Sequence, residues 1–505
     1  MRVYIIDQAG PLSNLCLVYF VNPLLRISYL MLVALLLPMM ALLQTSHAGN
    51  LPTINAYNST DMSVEDEYRF GTIIAASIRK HVPLWNDLAA LDFLEDLTQP
   101  LISHSQLSKK STQIFLVQDS KINAFAAPGG IIGVNTGLIQ QAGSVDELVA
   151  VLAHEVAHLS LRHYVQTQAQ EKTKAPLYLG AFIASIWIAG NVSDDIGEAG
   201  LYATQSALQR GQLSYNRSHE READRIGFDL MQQSPFDVAH MQRLLQRLQS
   251  PYVTQSPQWD WARSHPINNE RVADISQRVL ITQQNQLEHG FDLSFELLKI
   301  YQSVALSGSA KLSVEQIMGT FDPLVNHYST LVLFSEALVN KSEGELDLAT
   351  QQLKKIALDQ PNATLVWYSW MQSLLDQKRT QEVFKQLKLR KLHRRDNSLS
   401  LWVNALALRQ DEQSKAAVNV LLTLLRDQPT WTVGWRTLAE WAAEDQRLQL
   451  NHMAQSQWHL LRGEAEQALK QAQYASKQLT DVQAGSVLLQ QKKALTLLTD
   501  QAEFN

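Results

Sequence analysis

SVDELVAVLAHEVAHLSLRH, residues 144–163, is an apolar helical run that holds two histidines four apart, with a glutamate directly after the first. Ser144 suits an N-cap and Glu147, three residues on, completes a capping box. The run therefore predicts a helix with His154, Glu155 and His158 in its middle. Residues i and i+4 share a helix face with Cβ atoms about 5–6 Å apart, so both imidazoles can reach one metal ion. Two neutral imidazoles and a carboxylate leave a fourth tetrahedral position open, which is the arrangement of a catalytic rather than a structural zinc. Such a metal draws the pKa of its water down to about 7, where a nearby carboxylate can take the proton. Glu155, about 100° round the helix from His154, suits that general base without ligating. His163 lies about 140° beyond His158 on the same helix and is expected to be structural.

Upstream, residues 60–120 carry apolar side chains at helical spacings, and QIFLVQ then reads as a strand. Pro128-Gly129-Gly130 separates two short extended segments and predicts a hairpin. Its first arm, Asn123, Ala124, Phe125 and Ala126, is expected to be an edge strand to which an extended substrate adds main-chain hydrogen bonds. Downstream, the thirteen-residue apolar run at 177–189 is short of the roughly 20 needed to span a membrane and reads as a buried or cleft-lining helix. The amphipathic helix around EREADRIG offers Glu220, Glu222 and Asp224 as the third ligand, and periodicity alone does not choose among them.

The chain's 505 residues imply two to four domains. A net charge of −6 without a clustered basic face excludes nucleic acid as a partner. Residues 1–48 read as a secretory leader: Arg26 precedes a long apolar run, and Ser46 and Ala48 are small, so cleavage is expected after Ala48. The sole cysteine, Cys16, leaves with that leader, so the mature chain has neither disulfide nor thiol nucleophile. Beyond about residue 320 the pattern is helical throughout and a period emerges. The tripeptide DQP recurs at 359–361 and 427–429, 68 apart, while Ala349, Val383 and Ala417, like Leu353, Leu387 and Leu421, step by 34. Trp367, Trp402 and Trp435 follow at 35 and 33. That is the interval of tetratricopeptide helix pairs, which stack into a solenoid.

DEYRFG, INAFAAPGGIIGVNTGLI, DELVAVLAHEVAH, READRIG and SHPINNER occur in that order, ahead of LRGEAEQALKQAQYA near the end. The set resembles the membrane-associated zinc peptidases that include the heat-shock protease HtpX and the CAAX prenyl endoproteases. The likeness is greatest to their periplasmic members with a C-terminal tetratricopeptide domain. It implies one Zn2+ per chain, with Glu222 as third ligand beside His154 and His158, and Asp224 as a supporting partner. It also implies that His265 of the SHP loop can occupy the fourth position and hold the enzyme quiet. Arg271 is a candidate for stabilising the oxyanion beyond the metal itself.

The expected fold is mainly α: a zincin-type α+β metalloprotease domain with a small sheet over 49–300, a linker over 301–319 and an all-α tetratricopeptide solenoid over 320–505. A modest interface is expected between the two halves. The implied function is periplasmic zinc-dependent endopeptidase activity, with chaperone-like capacity, in quality control and assembly of outer-membrane β-barrel proteins. The implied partners are unfolded or stalled β-barrel proteins, the β-barrel assembly machinery and the inner face of the outer membrane. The alternative is a mostly silent protease that acts as a repeat-domain chaperone or docking module.

Overall fold

The computed structural model describes residues 62–170, 217–250, 258–282, 290–308, 310–324, 327–392, 397–477 and 484–504. The leader and the apolar run at 177–189 lie outside the described residues. Helix α1 (Val64–His81) begins at Ser63, whose hydroxyl accepts from the Asp66 amide, and carries acids in its first turn and bases in its last, as its dipole favours. Helix α2 (Leu88–His104) is capped by Asp87, which accepts from the Ala89 and Ala90 amides. Three strands follow: β1 (Gln113–Val117), β2 (Ala124–Ala127) and β3 (Ile131–Asn135).

The sheet order is β1-β3-β2, with β1 parallel and β2 antiparallel to β3. Central β3 is buried along its whole length, which is why IIGVN shows no polar alternation. Gly129 and Gly130 turn the β2–β3 hairpin at φ 82° and 77°, conformations that favour glycine. A Cβ at Gly71 would stand 2.5 Å from the Gly129 Cα, so α1 crosses this turn only because both residues are glycine.

After α3 (Thr136–Gln141) comes α4 (Val145–Ser160), which is buried from Val145 through Leu159 and packs on β2, α2 and two later helices. Such a helix has no solvent face, which explains its apolar run. Ser144 caps it through the Glu147 amide, but the Glu147 carboxylate turns to the Gly143 amide and to Arg247, so only half of the expected capping box forms. Helix α5 (His163–Gln170) starts after a break at Arg162 (φ 53°). Next are α6 (Arg217–Gln232), α7 (Ala239–Leu248), α8 (Asp260–Ser264), α9 (Asn269–Ile281), α10 (Asp292–Ala305) and α11 (Val314–Met318). Gly227 lets α6 approach α4 closely, since a Cβ there would meet the Ala153 backbone at 3.2 Å.

The remaining helices run as successive packed neighbours: α12 (Tyr328–Glu343), α13 (Leu346–Asp359), α14 (Thr364–Asp376), α15 (Thr380–Leu392), α16 (Ser398–Gln410), α17 (Ser414–Asp427), α18 (Thr432–Glu444), α19 (Leu448–Leu461), α20 (Ala465–Ser476) and α21 (Ala484–Phe504). The 34-residue interval is present in the backbone itself. Gly344, Lys378, Glu412 and Gln446, spaced by 34, all adopt positive φ in the turns that open α13, α15, α17 and α19. Both DQP tripeptides end a helix alike, with the Gln360 and Gln428 amides donating back to Ile356 and Leu424 at 2.7 and 2.8 Å. Gly463 turns the chain again only 17 residues after Gln446, which accounts for Ala468 lying 51 residues from Ala417.

One hydrophobic core runs from Trp85 through the sheet and α4 to Ala454, and the described residues form one compact unit. The modest interface expected between two halves is therefore replaced by a shared core, because α10 packs on α14 and α2 packs on α16. Residues 301–319, expected as a linker, hold the end of α10 and all of α11, with Ile317 and Met318 buried.

Where α2 meets α16 a cavity of about 440 Å³ is lined by Asp92, Glu95, Asp96 and Asp427 together with Ser398. Burial, then the charges of Glu95 and Asp96, push the Asp92 carboxyl up to about 7, against a hydrogen bond with Ser398. Because its folded pKa lies above the ordinary value of 3.8, Asp92 favours the fold fully below that value and loses the contribution as pH rises through 7. Asp92→Asn is expected to stabilise the protein by about 1–2 kcal/mol at pH 8 and to leave it unchanged at pH 4. Thermal unfolding at the two pH values checks this, and an equal shift at both would show that charge is not the cause.

Candidate metal centre

Helix α4 presents His154 and His158 on one face, and α6 brings Glu220 against them, while His265 enters from the loop after α8. These four buried side chains place one donor atom each within 4.8 Å of all the others. His154 Nε2 is 3.0 Å from His158 Nε2 and 3.2 Å from His265 Nδ1. Glu220 stands 3.4 Å from His154 Nε2, 3.6 Å from His158 Nε2 and 3.1 Å from His265 Nδ1. A tetrahedron with metal–nitrogen and metal–oxygen bonds of about 2.0–2.1 Å has edges of about 3.3 Å, so the donor set fits one small metal ion.

The third carboxylate differs from the sequence expectation. Glu222 points away from the cluster, with its side chain 43% exposed and Oε2 3.5 Å from His163 Nε2, while Glu220 is buried among the histidines. The reason is the packing face of α6. Ala223, Gly227 and Met231 lie against the core at spacings of four, and Glu220 and Asp224 share that face, whereas Glu222 sits about 200° round from Glu220. This stripe of small and apolar residues is the signal in the sequence that selects Glu220.

Each donor is held from behind. Asp224 Oδ1 lies 3.0 Å from His154 Nδ1, and both Asp224 oxygens accept from Arg271, at 2.6 Å from Nε and 2.7 Å from Nη2. Arg271 is fully buried, pairs with Glu220 Oε2 at 2.9 Å and donates to the carbonyls of His265 and Pro266 at 3.2 and 3.0 Å. Its donors are thus committed to the carboxylates and the SHP loop, not to a substrate oxyanion. His158 Nδ1 meets His163 Nδ1 at 2.9 Å, and the His163 ring stacks on His219 with centroids 4.2 Å apart. His163 does not continue α4: the break at Arg162 turns it back onto His158, where it supports a ligand as a structural residue.

The electrostatics follow from this packing. Burial opposes the charged form of His154, yet hydrogen bonds with Asp224 and Glu220 outweigh it and hold its pKa up at about 9. Burial, then the charge of His154, drives His158 well below the usual histidine range. Burial opposes ionisation of Glu220 too, but His265 and His154 keep its carboxyl well below the ordinary range.

Glu155 is fully buried beside the cluster. Its Oε1 accepts from Trp261 Nε1 at 2.9 Å and lies 3.5 Å from His265 Nε2, while Oε2 has no hydrogen-bond partner among the described residues. Trp261 was not anticipated, and nothing in the spacing of α8 announces it. The α8 segment is also tied to the loop that leads into β2, since the Ile122 amide donates to Gln258 O at 2.7 Å and the Trp261 amide to Ile122 O at 3.1 Å. Ala124, Phe125 and Ala126 lie in β2 at one edge of the sheet, and Asn123 precedes it, its carbonyl accepting from the Asn135 amide at 2.9 Å. No helix among the described residues is long and apolar enough to cross a membrane.

The family model described as peptidase family M48 matches residues 92–279, a span that contains the whole cluster. The beta-barrel assembly-enhancing protease of Escherichia coli (strain K12) is 26% identical over 441 residues, covering 86% of this chain and 88% of that protein. The putative beta-barrel assembly-enhancing protease of Vibrio cholerae is 27% identical over 313 residues, 60% of this chain and 63% of that protein. Mitochondrial metalloendopeptidase OMA1 of Schizosaccharomyces pombe is 26% identical over 238 residues, 46% of this chain and 66% of that protein. The chain therefore carries a peptidase family M48 domain and is a metallopeptidase.

Proposed function

We propose that this metallopeptidase is a periplasmic zinc endopeptidase of outer-membrane β-barrel quality control and assembly, in which His154, His158 and Glu220 hold the metal. The observation that carries the chemistry is the set of four donor atoms at tetrahedral spacing beside a buried glutamate. Imidazole nitrogens with one carboxylate suit zinc. Zinc there would supply a Lewis acid that acidifies water and draws electron density from the peptide carbonyl.

The chain's own residues do the rest. Glu155 takes the proton of the attacking water on Oε2 and later hands it to the departing amine, while the Trp261 indole holds Oε1. Asp224 fixes the ring of His154, His163 that of His158, and Arg271 anchors both Asp224 and Glu220. An extended substrate would add along β2 at Ala124 and Ala126, main chain to main chain. His265 is the closing element: it occupies the fourth position and keeps Glu155 from substrate until its loop moves.

The names of the Escherichia coli and Vibrio cholerae relatives support the β-barrel role, and the 34-residue turn interval supports a tetratricopeptide solenoid from about residue 320. That solenoid would present unfolded or stalled β-barrel proteins to the protease and dock the β-barrel assembly machinery near the inner face of the outer membrane, with chaperone-like capacity of its own. Complete burial of the donor cluster favours a second reading, in which the resting protease is silent and the repeats carry the function.

Glu155→Gln separates the two. The amide keeps the shape but cannot accept the proton, so peptide hydrolysis is expected to fall by roughly 10³-fold with the metal retained. Hydrolysis of an unfolded β-barrel protein and metal content are the measurements. Unchanged cleavage would move the general base elsewhere, and unchanged support of barrel assembly in the inactive variant would favour the docking reading.

A further inference from the structure

Helix α1 and the last helices of the chain enclose a second cavity, of about 560 Å³, that the peptidase chemistry does not use. Most of its exposed lining is apolar, with Ala75 and Ala76 of α1, Leu460 at the end of α19 and Leu497 of α21 among the lining residues. Its charges are unbalanced. Of the two carboxylates that line it, Asp500 is committed to Arg69 at 2.6 Å and Glu65 to Lys109 at 2.9 Å. Arg79, Lys492 and Lys493 also line it, and the two lysines are exposed on α21.

Arg79 is the informative group. Its Nη2 donates to Gln113 Oε1 at 2.6 Å, its Nη1 to Leu461 O at 3.5 Å, and the guanidinium lies over the Phe115 ring at 4.9 Å. All of these partners are neutral. Burial lowers its pKa to about 10, and no carboxylate among the described residues contributes an opposing effect. A half-buried cation without a counter-charge is costly, and a largely apolar chamber with such a group on its wall is matched by a ligand that brings both a tail and a negative charge.

We propose that this cavity binds a single-tailed amphiphile with an anionic head, carboxylate or phosphate, whose head engages Arg79 and the Lys492–Lys493 pair and whose tail runs along Ala76, Leu460 and Leu497. Bound there, it would join the first helix of the described chain to the last.

Isothermal titration of the full-length, metal-loaded protein tests the site with decanoate below its micelle concentration, against octyl glucoside as a tail without charge and acetate as a charge without tail. One decanoate per chain is expected, bound at least about 10-fold more tightly than either comparator, with decyl phosphate behaving as decanoate does. Arg79→Gln is expected to weaken decanoate at least about 10-fold, Lys492→Gln with Lys493→Gln to weaken it less, and Ala76→Leu to block the tail. Because the two lysines are exposed, their double variant keeps the test informative even if Arg79→Gln fails to fold. Octyl glucoside binding as tightly as decanoate, or decanoate binding untouched by the lysine and Ala76 variants, would overturn the proposal. So would capture by anionic phospholipid vesicles without decanoate binding, which would make these cations a membrane-facing patch.

Discussion

Glu220→Ala is expected to strip the metal from the purified protein, while Glu222→Ala is expected to leave it bound. The two glutamates are two positions apart on α6, yet one lies 3.1–3.6 Å from the donor atoms of three histidines and the other is 43% exposed beside His163. Removing a ligand from a three-residue set should weaken binding by at least about 100-fold, more than the 10–100-fold that follows loss of a supporting partner. Glu222→Ala removes only a distant contact with His163, so its effect should stay below that lower range. Metal content after gel filtration decides between them. Glu220→Gln accompanies the alanine variant because Glu220 also faces buried Arg271 at 2.9 Å, and the amide keeps its volume. Metal retained by Glu220→Ala and lost from Glu222→Ala would restore the reading made from sequence.

That pair shows how far the sequence alone reaches. His154 and His158 are legible because both lie on one helix and a four-residue step fixes their relative placement. A third ligand on another helix depends on which face that helix turns inward, a property of packing. The small residues Ala223 and Gly227 record that face, and a charge run read without them conceals it. Trp261 and His163 are harder cases, since each reaches the site through a local event: a five-residue helix seated on Ile122, and a helix break at Arg162. The 34-residue spacing was visible in residue types and recurs as backbone torsions. The depth of contact between the two halves was not visible, because it lies in which faces of α2 and α10 meet α16 and α14.

His265→Ala is expected to raise proteolysis, including self-cleavage, roughly 10-fold with little change in metal content, which corresponds to about 1.4 kcal/mol of closure removed. The imidazole is buried, 3.2 Å from His154 Nε2 and 3.5 Å from Glu155 Oε1, so it occupies the space that water and a peptide carbonyl would need. Arg271 grips the carbonyls of His265 and Pro266, so loss of the side chain empties the position without releasing the loop. A loop that merely shapes the cleft would give the opposite sign, with activity falling or staying flat. The double variant with Glu155→Gln completes the test: the gain must vanish, and a rise that survives would come from another protease.

The left-handed turns have a consequence of a different kind. Of the four residues at 344, 378, 412 and 446, only the first is glycine, and Lys378, Glu412 and Gln446 each adopt a left-handed backbone that costs an L residue about 1 kcal/mol or more. The strain recurs at a fixed interval, far in sequence from the donor cluster. Exchanging these three residues for glycine, singly and together, would yield a graded series with one unchanged reaction centre and stepwise relief of strain in the 34-residue turns. Such a series would act as a ruler for how far strain held in the C-terminal turns is felt at the peptidase centre.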